Sequence, residues 1–216
     1  YALIILIVAF IMLLGTQSRT SFMGFSFGVL YMLLLLPFLL LKYRTYKFLY
    51  INAKFMFCFF FIVVSCIIGY DILKSNYSYL FVGLESFLLS GRTGSTDARL
   101  NEFYHVKNSF TGLSDILTGN GVSKGEIKNL ESSYLLYPFR YGLYGLFLLI
   151  IIFGSSILYS FKNIIKFKDT NTFFYSFVIG VHVWFIVTPF VSLTNCYIDM
   201  PRVQFIFFFI FGLSVL

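Results

Sequence analysis

The chain has 216 residues, of which 59% are hydrophobic, 22% aromatic and 12% charged, with a mean hydropathy of +0.87. An ordinary soluble domain carries about 25% charged residues, and a disordered chain is poor in aromatics, so both classes are excluded. The net charge of +7 raises nucleic-acid binding, which the placement of the charges then argues against.

A helix that crosses a hydrocarbon core of about 30 Å needs roughly 20 apolar residues. Six apolar runs fit or nearly fit: 1–14, 22–41, 55–70, 141–161, 173–191 and 203–216. None contains Asp, Glu, Lys or Arg. The sequence starts at Tyr1 without Met and stops inside an apolar run at Leu216. The expectation is therefore a piece of a longer, all-α polytopic membrane protein whose first and last spans are cut.

Between the first two runs lies a turn, Gly15-Thr16-Gln17-Ser18-Arg19-Thr20. After the second, segment 42–54 carries Lys42, Arg44, Lys47 and Lys54. The third run is followed by a long polar segment, 71–137, with six basic and seven acidic residues. Within it, 79–89 is apolar but too short to span, and reads as an interfacial or re-entrant helix. The turn region Ser90–Arg99 offers Ser95 or Thr96 as a helix cap. From Leu100, the positions Phe103, Val106, Phe110, Leu113 and Leu117 predict one amphipathic helix that ends at Gly119-Asn120-Gly121.

The fourth run, 141–161, follows Pro138, and Pro201 precedes the sixth, while Pro37 and Pro189 sit near span ends. Segment 161–172 holds Lys162, Lys166 and Lys168. With six spans this basic loop and 42–54 share one side, which is then the cytoplasm. Segment 71–137 becomes a large extracytoplasmic loop. Much of the positive charge is thus a topological signal, and nucleic acid is not an expected partner.

Glycine-rich phosphate loops, HExxH pairs, GxSxG elbows and clustered metal ligands are absent from the sequence, so neither a metal nor a cofactor is indicated. Three cysteines without CxxC spacing imply no disulfide framework. His182, the one histidine within the spans, reads as a proton relay or as an imidazole bonded to a carbonyl. His105 reads as a solvated face residue.

Arginines are the informative charges. Arg19, Arg92, Arg99, Arg140 and Arg202 lie on or beside the predicted outer face. A guanidinium grips phosphate oxygens bidentately, although each arginine equally well anchors at headgroups or pairs with Asp97, Glu102 or Asp199. Glu131 stands just before the fourth span, where a carboxylate can serve as a general base or simply cap a helix start.

These features, in order, resemble the O-antigen polymerase and ligase family of bacterial membrane glycosyltransferases. The resemblance is carried by the Ser18-Arg19 turn, by Gly91-Arg92 and Asp97-Ala98-Arg99, and by Thr118-Gly119-Asn120-Gly121-Val122. It ends with Glu131-Ser132-Ser133-Tyr134-Leu135 followed by Tyr141-Gly142-Leu143-Tyr144-Gly145. It implies the C-terminal half of an enzyme that joins polyprenyl-diphosphate-linked oligosaccharides on the outer face of the bacterial cytoplasmic membrane. The implied product is O-antigen, capsule or another surface polysaccharide.

Ligases of this family carry His where this chain has Glu131, so the departure favours a polymerase. The resemblance implies an inverting, metal-independent transfer, with Glu131 as catalytic base and Arg19, Arg92, Arg99 and Arg140 on the diphosphate. Implied partners are the lipid-linked glycan, membrane lipids, a chain-length regulator and a flippase. A ligase, a lipid-linked glycan transporter and a non-catalytic scaffold remain alternatives.

Overall fold

The computed structural model describes residues 19–35, 94–121, 130–193 and 201–215, with scattered residues between 37 and 78. The described residues are mostly helical, with no strand among them. They fall into two units, one from Tyr1–Thr93 with Thr170–Thr172, the other from Gly94–Asp169 with Phe173–Leu216.

In the first unit, helix α1 spans Arg19–Leu30 and runs on into a π-helical turn, Tyr31–Leu35. Val29, Tyr31 and Met32 are buried. Arg19 and Thr20, expected in a turn, are helical residues of α1. The expected run 55–70 is described only at Met56, Phe57, Phe60, Val64 and Ile68, all helical. The expected span 1–14 and the short apolar segment 79–89 lie outside the described residues.

The second unit contains α2 (Gly94–Ser109), α3 (Leu113–Thr118), α4 (Ser133–Lys166), α5 (Thr172–Val191) and α6 (Pro201–Val215). Of these, α4 and α5 are long and apolar enough to cross a membrane. Their outward faces support that environment. Leu143, Phe147, Ile150 and Leu158 on α4, Phe173 and Phe177 on α5, and Phe205 and Phe209 on α6 are all exposed. A helix in water places polar residues at such positions, whereas one that is apolar all round belongs in a core or a bilayer.

Cross-contacts set the directions of these three helices. Near its start, α4 meets the end of α5, where the Ser133 amide donates to the Ser192 carbonyl at 3.0 Å. Further along, the Ser160 hydroxyl meets His182 Nδ1 at 2.8 Å. The two helices are therefore antiparallel. Near the end of α4, Asn163 Nδ2 donates to the Ser214 carbonyl at 2.8 Å, close to the end of α6. Thus α6 runs parallel to α4.

Leu149, Phe153, Phe185 and Phe207 form the buried centre of the three helices. The rings of Phe185 and Phe207 meet edge to face at 5.2 Å, and Trp184 stacks on Phe185 at 5.4 Å. Offset and edge-on contacts of this kind add about 0.5–1.5 kcal/mol each beyond burial. The buried His182 bonds a serine hydroxyl. That hydroxyl also lies 3.0 Å from the Ile157 carbonyl, to which it donates. One hydroxyl proton serves one acceptor, so the arrangement that satisfies both bonds has His182 Nδ1–H donating to Ser160.

Two expectations about helix ends are corrected. Helix α4 starts at Ser133, with Pro138 inside it, instead of starting at the expected span boundary of 141. The early start is held from outside the helix, because Ser192 at the end of α5 accepts the first amide. The expected boundary does coincide with a break. Gly142 has φ 64 and ψ −161, outside helical space. About 24 residues follow it, roughly 36 Å of helix, enough to cross a bilayer.

The second correction concerns the amphipathic segment, which is two helices and not one. It breaks at Phe110–Gly112, and only Val106 of the expected stripe is buried. Helix α2 also starts at Gly94, so Ser95 and Thr96 lie in its first turn and are not its caps.

The break in α4 is filled by backbone from the segment after α3. Asn120 N donates to the Phe139 carbonyl at 2.8 Å, and Gly121 N to the Arg140 carbonyl at 3.0 Å. These carbonyls precede the break, where the usual partners four residues on are displaced, and buried carbonyls need donors. Contact is main chain to main chain. A Cβ on Gly119 would lie 2.5 Å from the Arg140 carbonyl, and one on Gly142 would overlap the Leu117 carbonyl.

Gly142→Ala therefore combines a left-handed backbone with a collision. We expect a loss of about 1–3 kcal/mol, read as a lower thermal midpoint in detergent. Gly154, with nothing within 4 Å of an added Cβ, is the control. Gly154→Ala should be neutral or stabilising.

Candidate functional site

The site forms where α2 lies against the start of α4. Val106 on α2 packs with Leu130, Leu136 and Phe139 in a small buried cluster, with Phe110 and Leu135 at its edge. Leu130 is buried beside Glu131, and Val106 lies two turns beyond Arg99 on the same helix. Burial of this cluster thus brings Arg99 and Glu131 together across 32 positions of sequence.

Arg99 stands between two carboxylates. Its Nη1 is 3.3 Å from both oxygens of Glu102, one turn along α2. Its Nη2 donates to Glu131 Oε2. Accessibility of the side chains differs: Arg99 is 24% exposed, Glu102 18% and Glu131 64%. An ion pair this open to solvent contributes only about 0–1 kcal/mol. The Arg99–Glu131 pair therefore places two groups without locking them together.

A hydrogen-bonded scaffold fixes the segment beneath. Thr111 donates to Asp115 Oδ2 from its hydroxyl at 2.7 Å and from its amide at 3.1 Å, which ties the residue before the N-cap Gly112 to the first turn of α3. At the other end, Gly119 N donates to the Asp115 carbonyl at 2.8 Å, and Gly119 has φ 76. Asn120 Nδ2 reaches Ser109 Oγ at 3.1 Å, which in turn donates to the Val106 carbonyl at 2.7 Å. Asn120 thereby ties the end of α2 to the break in α4.

Of the residues singled out in the sequence, Arg99 and Glu131 are in direct contact. Arg140 lies at the α4 break, about two turns into that helix. Its carbonyl accepts from Gly121. Arg19 is a helical residue of α1 in the first unit, and its side chain lies outside the described residues, as does all of Arg92. Arg202 is described only as a helical residue of α6. His105 is exposed, as read from sequence. Among the described residues, no three His, Cys, Asp or Glu side chains cluster as metal ligands.

Glu102 entered the sequence reading only as one of several possible ion-pair partners. Its spacing of three from Arg99 on a helix was the available signal. Asn120 was read as part of a turn, and no local pattern marks its link to Ser109. Comparison of the chain with protein-family models, with curated proteins and with solved structures gave no match.

The Thr111 hydroxyl and then the Thr111 amide hold the Asp115 carboxyl below its ordinary value of 3.8. A carboxylate lowered in the folded state stabilises the fold above its unfolded pKa, and the effect is lost as pH falls through the folded one. Wild type should therefore be more stable than Asp115→Asn at neutral pH. The difference should shrink once pH drops below 3.8. Thermal midpoints of the two proteins across a pH series check this.

Proposed function

We propose that this chain belongs to a membrane glycosyltransferase that polymerises polyprenyl-diphosphate-linked oligosaccharide units into a bacterial surface polysaccharide. The observation that carries the reading is the contact of Arg99 on α2 with Glu131 before α4. A guanidinium on α2 and an exposed carboxylate just before the apolar helix α4 sit together. Displacement at an anomeric carbon needs both of these groups. It requires stabilisation of a leaving diphosphate and an acceptor for the hydroxyl proton.

In this mechanism the acceptor hydroxyl gives its proton to Glu131 as its oxygen bonds to the anomeric carbon. The bond from that carbon to the diphosphate oxygen breaks, and the electron pair leaves on the diphosphate. Arg99 stabilises the charge that develops there, with Arg140 as a further diphosphate ligand. A single displacement inverts the anomeric configuration. A well-placed base contributes about 10²–10⁴-fold to such a step.

The site side is the outer face of the cytoplasmic membrane. Lys162 and Lys166 lie at the end of α4 remote from Glu131, with Lys168 just past it, and a basic helix end marks the cytoplasm. Glu131, standing where the resembling ligases carry His, favours polymerisation over ligation.

Surface glycan and its lipid-linked pool, sized in cells deleted for the gene, test the reading. Loss of the long ladder, with single units still made and exported, is the expected result. Cells producing Arg99→Ala or Glu131→Gln at normal protein levels should reproduce that loss. Long lipid-linked polymer that is never transferred would mean a ligase, and an unchanged ladder would refute both.

A further inference from the structure

Arg99 holds its two carboxylates differently. Glu102 shares its helix, is the least exposed member of the trio, and approaches one guanidinium nitrogen with both oxygens. Glu131 comes from the segment before α4, is 64% exposed, and takes the other terminal nitrogen through one oxygen. One partner is thus an anchor on the same element, and the other a single-point contact at the solvent edge.

A phosphate oxygen and a carboxylate oxygen make the same demand on a guanidinium nitrogen. An anion that reaches Arg99 from solvent meets the Nη2 face on which Glu131 sits. Two anions on one nitrogen repel each other, so occupation of that face is exclusive.

We infer that Glu131 and the diphosphate of the lipid-linked donor exchange on Arg99, so that donor binding releases Glu131 to receive the acceptor proton. This rests on the polymerase reading for the identity of the anion. The exchange itself rests only on the Glu102–Arg99–Glu131 arrangement. Glu102 keeps the guanidinium on α2 while Glu131 departs. The freed carboxylate oxygen, no longer occupied by Arg99, is open to the acceptor hydroxyl at the moment the leaving group is in place. The order that follows is donor first, acceptor activation second, and a base held in its ion pair while the donor is away.

Exchange has a thermodynamic signature opposite to that of an ordinary binding residue. If Glu131 competes with the ligand, removing its charge tightens diphosphate binding while it abolishes turnover. The probe is farnesyl diphosphate, titrated calorimetrically into the intact protein in detergent. For Glu131→Gln we expect binding about three- to fivefold tighter than wild type, the scale of a solvent-exposed pair. In an Arg99→Gln background the same change should have no effect, because the competition is for that guanidinium. Asp97→Asn, which removes a charge on α2 outside the trio, should stay within about twofold of wild type.

Equal or weaker binding by Glu131→Gln overturns the exchange, as does a gain that persists in the Arg99→Gln background. Absence of Arg99-dependent binding overturns it too. Polymer synthesis by the same preparations separates the two ideas. Tighter binding by Glu131→Gln without any wild-type polymerisation would sink the polymerase reading and leave the exchange standing. Normal wild-type polymerisation with no change in affinity would do the reverse.

Discussion

A helix that breaks inside an apolar protein leaves carbonyls without donors, and the second unit is organised around how that debt is met at Gly142. The Phe139 and Arg140 carbonyls take their hydrogen bonds from Asn120 and Gly121, so two distant stretches of backbone become one structural piece. Only glycine allows the approach at 119 and 142, since a Cβ at either would enter the facing main chain. Because the contact uses backbone atoms on both sides, its position is fixed to within a hydrogen-bond length. That fixed point sets where α3 ends and, through Asn120 and Ser109, where α2 ends.

The site inherits its geometry from this interlock. With both ends of the 109–121 segment tied down, Val106 reaches the Leu130–Leu136–Phe139 cluster, and Arg99 faces Glu131. Below the break, α4 continues as an apolar rod packed on α5 and α6 through Phe153, Phe185 and Phe207. Glu131 thus precedes a short helical segment that the Gly142 break separates from the long apolar part of α4. Such a layout keeps the Arg99–Glu131 ion pair outside the apolar helices α4 and α5.

What the sequence disclosed follows from how local each feature is. Helix α5 was placed within one residue, because an apolar run that follows Asp169-Thr170-Asn171 is a local signal. Helix α4 was started eight residues late, because Pro138 and Arg140 interrupt the apolar pattern and the true start is held by Ser192 of another helix. The periodicity after Leu100 ran straight across the Thr111–Gly112 break. Asp115 turning back on Thr111 was the sign that a new helix begins there. The Gly119–Gly121 and Tyr141–Gly145 motifs were visible singly, yet nothing local says that they interlock. The Arg99–Glu131 contact is of the same kind, whereas Arg99–Glu102 obeys helical spacing and was within reach.

Chemistry at the Arg99–Glu131 pair is the central claim, and reconstitution measures it most directly. The intact protein in liposomes would be supplied with a lipid-diphosphate-linked oligosaccharide on the site side, and both glycan length and free polyprenyl diphosphate followed in time. The account predicts stepwise lengthening of the lipid-linked glycan, with one polyprenyl diphosphate released per unit joined, and neither product from Glu131→Gln. Movement of the substrate across the bilayer without any lengthening, or polymer formed equally well by Glu131→Gln, would contradict it.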